Sequence, residues 1–314
     1  MKPHCHSRLH ITDHCSNIMK NTFPVYNIAA LSELKTEDFL VSRLDSYLEI
    51  HKELFTVHRH DFFHMVLFTE GSGFHQIDFQ QFEVRPFQIY FMVPGQVHSW
   101  NFQGKVAGYV LNFSPSFFDA FLVNSNYINE LPFFSGSVED QVLHLEEGLR
   151  GPLCDLFENL ISESQVAKTM GYDLVRVLLL DVFIRISRSV STRNINKRLP
   201  YNDTLLRNFK QLIEQNYISL RLPKDYAALL YITPNHLNSL CHDVLGIAAG
   251  ELIRNRVILE AKRLLANLDI PISEIAGKLN FTDNSNFSKF FKKQAGLAPE
   301  EFRKRALKTS YENN

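Results

Sequence analysis

GKLNFTDNSNFSKFFKKQAGLAPEEFR, residues 277–303, decides the fold of the C-terminal third of this chain. Phe287, Phe290 and Phe291 fall at i, i+3, i+4 and make an apolar stripe on a helix. Thr282 stands ahead of that stripe, where a hydroxyl can cap the helix, and Gly296 supplies the left-handed residue that ends it. Ala276 lets the preceding helix cross closely. The pattern is written twice. Ala227, Leu230, Ile232, Thr233, Leu237, Leu240, Cys241 and Gly246 match Ala276, Leu279, Phe281, Thr282, Phe287, Phe290, Phe291 and Gly296, with one extra residue in the second copy between Thr282 and Phe287. Two helices joined by a tight turn, repeated, is helix-turn-helix grammar. Between the copies, Ala248 to Asn267 reads as a single helix, roughly 30 Å long at 1.5 Å per residue. That approaches one turn of B-DNA, about 34 Å.

Upstream, Ser189 to Asp203 (SVSTRNINKRLPYND) lacks apolar periodicity and is read as a linker. Before it come two helices. Pro152 opens one, with Leu153, Leu156, Phe157, Leu160 and Ile161 on one face. The other, from about Tyr172 to Arg188, is apolar around most of its circumference and is expected to be buried on several sides. From Glu53 to about Phe118, short runs rich in Phe, Val, Ile and Tyr alternate with turn signals at Glu70–Gly73, Arg85-Pro86 and Pro94–Gln96, the signature of a small sandwich or barrel.

Charge follows the same division. Residues 200–314 carry 16 Lys and Arg against 12 Asp and Glu, whereas residues 1–199 carry 17 against 22. Only the C-terminal part is suited to phosphates. Four cysteines without CxxC spacing read as reduced thiols of a cytoplasmic protein. No apolar stretch approaches the roughly 20 residues of a membrane span. The first twenty residues hold His4, Cys5, His6, His10, His14 and Cys15 in no established ligand frame, and they read as an unordered tail upstream of a second possible start, Met19. No Ser-His-Asp set, P-loop or G-x-G-x-x-G offers an enzyme reading.

Leu222 to Arg303 resembles the DNA-binding domain of the AraC/XylS regulator family, most specifically in the stretch quoted first, with RVILEAKRLLAN similar to the family's connecting helix. Asn280 stands where the family usually has Gly, and Ala298 precedes Pro299 where Ser or Thr is usual. Asn is tolerated at the former because it also visits the left-handed region. The resemblance implies DNA contacts from Asn235, His236, Asn238, Ser239 and His242 in the first unit, and from Asn284, Ser285, Asn286, Ser288 and Lys289 in the second. Asn pairs bidentately with adenine, Lys reaches guanine, and Ser contacts either. Lys292, Lys293 and Lys262 suit phosphates instead. The first unit has no Arg or Lys on its reading face, so the second is expected to read more strongly.

The N-terminal half resembles the cupin-like sensor of the same regulators, in HRHDFFHMVLFTEGSG (58–73) and VPGQVHSWN (93–101). Period 2 puts His58, His60 and His64 on one strand face, and His98 follows Pro94-Gly95. His64 replaces the Glu of metal-binding cupin enzymes, and Pro94-Gly95 compresses their second motif. No metal or other cofactor is therefore expected. The histidines read as hydrogen-bonded barrel residues or, with Phe62, Trp100 and Phe102, as the lining of an effector pocket.

The expected fold class is α+β with two domains. An N-terminal cupin-like β-barrel with trailing helices (21–188) precedes the linker (189–203) and an all-α domain (204–314) whose two helix-turn-helix motifs are joined by a long helix. The expected function is sequence-specific transcription regulation, activating in response to a small-molecule effector, with duplex DNA, RNA polymerase and a second copy of the chain as partners and no membrane. The alternative is a metal-dependent cupin enzyme with an appended DNA-binding domain. Residues 172–188 are expected to form the symmetric dimer contact.

Overall fold

The computed structural model describes residues 24–32, 38–124, 127–135, 138–165, 169–193, 200–267 and 270–312. The tail expected at residues 1–20 lies outside the described residues.

The N-terminal domain opens with β1 (Val25–Tyr26), α1 (Ile28–Leu31), β2 (Phe39–Arg43) and α2 (Leu44–Ile50). There follow β3 (His58–His60), β4 (Phe63–Glu70), β5 (Gly73–Ile77), β6 (Gln80–Glu83), β7 (Gln88–Met92), β8 (Val97–Phe102) and β9 (Ala107–Phe113). A short α3 (Val138–Gln141), β10 (Val142–His144), α4 (Glu147–Ser164) and α5 (Gly171–Arg193) complete it. The strands form two five-stranded sheets, ordered β1-β3-β8-β5-β6 and β10-β7-β4-β9-β2. The expected β region thus gains β1, β2 and β10, which lie outside it.

Strand β4 shows how the sequence makes two layers. Its residues Phe63 to Phe68 are all buried, because both faces are covered. Val66 and Phe68 point into the interior between the sheets, with Tyr90, Trp100 and Val110. Phe63, Met65 and Leu67 point outward into a second core that includes Leu153 and Phe157 of α4 and Leu179, Val182, Phe183 and Ile186 of α5. Gly108 on β9 is required by this pairing. It has φ +148°, and a Cβ there would meet the Leu67 carbonyl oxygen at 1.9 Å.

Three sequence expectations need correction. Pro152 lies inside α4 rather than opening it, near enough to the start for the missing N–H to be tolerated. Helix α5 continues to Arg193 and the next helix begins at Pro200, so helices occupy both ends of the segment read as a linker. Leu179 is fully buried in the chain's own core, so the symmetric contact expected of residues 172–188 cannot run through that face of α5. The opposite face of α5 does expose Leu174, Val177 and Ile184.

The C-terminal domain is helical throughout: α6 (Pro200–Asn216), α7 (Pro223–Leu229), α8 (Pro234–Leu245), α9 (Ala249–Leu265), α10 (Ile272–Lys278), α11 (Asn284–Ala295) and α12 (Pro299–Glu312). It has two cores. Phe209, Ile213, Tyr226, Leu237 and Cys241 gather around the first unit, and Ile275, Leu279, Phe287 and Phe291 around the second. The connecting helix α9 serves both, giving Ala249 and Ile253 to one and Ile258, Ala261 and Leu265 to the other. Its 17 residues span about 25 Å, shorter than expected. Arg221 ties the units together, donating to the Leu279 carbonyl and lying 5.0 Å over the Phe281 ring.

Candidate nucleic-acid interface and sensor site

In each unit the turn and the caps set the second helix. Tyr231 and Asn280 occupy equivalent turn positions, both with φ +55°. Gly246 (φ +73°) and Gly296 (φ +77°) end α8 and α11 in the left-handed region. Thr233 caps α8 as expected, its hydroxyl accepting from the His236 N–H at 3.2 Å. The extra residue in the second copy moves that role from Thr282 to Asp283, whose Oδ1 accepts from the Asn286 N–H at 2.8 Å.

The residues expected to read DNA differ in availability. Asn235, His236, Ser239 and His242 on α8 are exposed, as are Asn284, Ser285, Lys289, Lys292 and Lys293 on α11. Ser288 is half-buried. Asn238 is also half-buried, and its Oδ1 accepts from the Ala249 N–H at 3.1 Å, helping to start α9. Asn286 is exposed but donates through Nδ2 to Thr282 Oγ1 at 2.8 Å and to Asp283 Oδ2 at 2.9 Å. Lys262 is half-buried, 6.0 Å over the Phe302 ring, and burial lowers its pKa. That makes it a poorer phosphate ligand than Lys292 or Lys293.

The histidines of the sensor converge between the sheets. His58 on β3 pairs with His98 on β8, and His60 is two residues further along β3. His64, expected on one strand with His58 and His60, comes instead from β4 of the facing sheet, opposite Asn112 of β9, because the strand breaks at Asp61-Phe62. His75 on β5, opposite Trp100, joins them, and sequence reasoning missed it. Its signal was there: Gly73, His75 and Ile77 alternate inward along β5. Phe62 stacks on His60 at 4.4 Å, and Trp100 lies 5.4 Å from His98. All five histidines are buried, which holds each ring neutral. His58 is lowered to about 4, by burial first, with the Thr56 carbonyl opposing. His64 is lowered to about 3, again by burial, with Asn112 opposing. Burial and then the neighbouring imidazoles hold His60, His75 and His98 well below the usual value.

Each ring keeps one buried nitrogen without a hydrogen-bond partner: Nε2 of His58, His60, His64 and His98, and Nδ1 of His75. Such an atom costs about 1–3 kcal/mol. The rings are therefore not satisfied by the barrel alone.

A second polar cluster was invisible in sequence. Asp78, in the β5–β6 turn, receives Arg263 of α9 through Nε at 2.8 Å and Nη2 at 2.5 Å. Asp78 also accepts from Gln96 Nε2 at 2.8 Å and the Val97 N–H at 3.2 Å. Gln96 and Gln141 exchange amide hydrogen bonds at 2.9 Å. The Asp78 and Arg263 side chains are 0 % and 5 % exposed, so this pair is a buried ionic clasp between sensor and reader. Burial opposes the Arg263 charge, and the carboxylate overcomes it, leaving the pKa raised. Phe79 packs edge-on against Phe302 of α12 at 5.6 Å, and Lys210 of α6 reaches Asp140 of α3 at 3.5 Å. The turn itself is unusual. Asp78 (φ +46°) and Phe79 (φ +72°) both have left-handed backbone, which two-residue hairpins normally give to Asn-Gly or Asp-Gly.

Known proteins agree with this layout. Residues 47–176 match the family described as an AraC-like ligand binding domain, and residues 226–305 match one described as a helix-turn-helix domain. The HTH-type transcriptional activator RhaR of Yersinia pseudotuberculosis is 21% identical over 279 residues, covering 88% of this chain and 95% of that protein. The protein of the same name from an Enterobacter strain is 18% identical over 262 residues, covering 82% and 90%. Among solved structures, ToxT from Vibrio cholerae aligns over 85% of this chain and 98% of its own at 14% identity, with TM-score 0.42. The C-terminal domain of AraT from Geobacillus stearothermophilus covers 32% of this chain and 84% of its own at 27% identity, with TM-score 0.30. The matched families and curated relatives are transcription regulators, which decides against the cupin-enzyme alternative. The chain belongs to the AraC-type DNA-binding transcription regulators, with an N-terminal ligand-binding domain and a C-terminal helix-turn-helix domain.

Proposed function

We propose that this regulator is a ligand-responsive activator whose reader, residues 204–314, inserts α8 and α11 into the major groove. The buried Asp78–Arg263 clasp carries the coupling, because it joins the sensor to the helix that bridges both reading units. The sensor's ligand site is the barrel interior lined by His58, His60, Phe62, His64, His98 and Trp100. Strands β5 and β8 run from that interior to the clasp, which starts at Asp78 and Gln96. A ligand that favours one arrangement of those strands shifts the population of clasped chains. Activation is supported by the relatives, which are HTH-type transcriptional activators; action in the cytoplasm and contact with RNA polymerase belong to the same proposal. No described helix is long and apolar enough to cross a membrane.

The test of the reader is direct. Residues 204–314 should bind duplex DNA with an affinity that falls steeply with salt, as phosphate contacts release counterions. Lys289→Ala, at an exposed position of α11, should reduce discrimination between sites by about 1–3 kcal/mol. A uniform loss across all sequences would assign Lys289 to the backbone instead.

Association uses the free face of α5. Leu174, Val177 and Ile184 are apolar and exposed there, and a two-fold contact through them lets two readers engage paired sites. Val177→Arg should turn a dimer into a monomer in sedimentation at micromolar concentration. A wild-type monomer, or a dimer that survives the change, would remove α5 from consideration.

A further inference from the structure

We propose that His58, His60 and His98, with His64 beside them, bind one divalent ion of the late first-row transition metals, for which zinc is the reference. The proposal rests on the reading that the barrel interior is the sensor's ligand site, and it names the class of ligand. The donor atoms of His58, His60 and His98 all lie within 4.8 Å of one another. An ion bonded to imidazole at about 2.0–2.1 Å holds neighbouring nitrogens roughly 3.4 Å apart. Closing the set from separations of at most 4.8 Å to that spacing takes shifts of about 1.4 Å or less.

The far side of the rings supports the same conclusion. Thr56 O lies 2.7 Å from His58 Nδ1 and Asn112 Oδ1 lies 2.6 Å from His64 Nδ1. Both oxygens are acceptors, so each Nδ1 carries the proton and each Nε2 presents its lone pair. His98 Nδ1 lies 3.1 Å from His75 Nε2, and donation from His98 to His75 frees His98 Nε2 in the same way. A carbonyl or a second ring thus stands behind His58, His64 and His98, the arrangement that orients metal-binding histidines. His75 is then a positioning residue.

The chemistry of the site selects the ion. Five pairs among His58, His60, His64 and His98 have ring centroids 4.1–5.4 Å apart, close enough for the rings to share one ion. The donor set is wholly imidazole, and the nearby Asp78 carboxylate is committed to Arg263. Imidazole without carboxylate suits zinc, copper, nickel or ferrous iron and disfavours magnesium and calcium. Ligation also reaches the reader. His98 is two residues from Gln96 and His75 three from Asp78, so drawing the rings together moves the strand ends that hold the clasp.

The full-length chain, purified without chelator or affinity tag, is loaded with excess Zn²⁺, passed through gel filtration and assayed for metal. The expected content is about one ion per chain, and His60→Gln and His98→Gln should each lower it roughly tenfold. Because the N-terminal tail is also rich in histidine, a full-length chain with His4, His6, His10 and His14 all changed to Gln is the control, and it should keep its ion. X-ray absorption at the zinc edge of the wild-type chain should show nitrogen ligands without sulfur. A content below about one-tenth of an ion per chain, sulfur in the spectrum, or loss in the tail variant with retention in His60→Gln would each overturn the proposal. The wild-type content and spectrum decide the matter even where a histidine variant fails to fold. If the protein holds no ion yet His60→Gln still abolishes a reporter response, the metal is wrong and the barrel interior remains the ligand site.

Discussion

Asp78→Ala will separate sensor from reader and leave each folded. The substitution strands the Arg263 guanidinium in a position only 5 % exposed and removes the acceptor of Gln96 Nε2 and the Val97 N–H. Breaking a buried ion pair from one side costs about 3–5 kcal/mol. The contacts that hold the clasped state include, among the described residues, that pair, the aromatic contact at Phe79 and the longer Lys210–Asp140 contact, and interdomain contacts of this kind are readily outweighed. The population of separated chains should therefore rise by roughly two to four orders of magnitude. Small-angle scattering would register this as a larger radius of gyration. Reporter output would become indifferent to the sensor. Arg263→Met should cost less, because Asp78 keeps Gln96 and Val97 as donors. The double variant should recover part of the loss, since no uncompensated guanidinium remains. A compact Asp78→Ala chain with an intact response would show that the clasp is not the coupling element.

Phe287→Ala will unfold the second reading unit and spare the first. Phe287 is wholly buried in a core of few residues, against Phe281 and Phe291. Truncating a buried Phe costs about 3–5 kcal/mol, and a core this small has little else to hold α10 and α11 together. The first unit has a separate core around Phe209 and Tyr226, so the loss should stay local. Hydrogen exchange should show rapid exchange of amides in α10 and α11 with protection retained in α7 and α8. Specific DNA affinity should fall toward the non-specific level, at least about a thousandfold. Uniform loss of protection across both units would mean that α9 fuses the two cores into one cooperative body.

Local features were legible in the sequence because their causes are local. The left-handed backbone at Gly246, Gly296 and Asn280 and the Thr233 cap follow from residue type and spacing. The cap of α11 was misread by one residue, since both Thr282 and Asp283 are good caps and only helix geometry chooses between them. In the sensor, period 2 places His58 and His60 on one face, and the strand pairing then brings His98 and His75 to them. What no local pattern announces is a contact between distant residues. Asp78 and Arg263 are 185 positions apart, and on sequence alone one belongs to a turn and the other to an ordinary amphipathic helix. The one trace was the pair Asp78-Phe79 in a two-residue hairpin turn, where glycine is the natural choice at the second position.

That turn changes how hard a ligand has to work. Phe79 in the left-handed region costs about 1–3 kcal/mol, and it is held there while its ring lies on Phe302 of the reader. The two-residue hairpin between β5 and β6 requires that backbone whether or not the reader is docked, so the strain is common to the clasped and the free sensor. What differs between them is the contact of the ring with Phe302, about 0.5–1.5 kcal/mol. Moving a two-state population from 1:99 to 99:1 takes about 5.5 kcal/mol of differential binding. The ring adds to what a ligand that opens the clasp must overcome, so replacing Phe79 with glycine would make the same ligand a better inducer while leaving its affinity for the open sensor untouched.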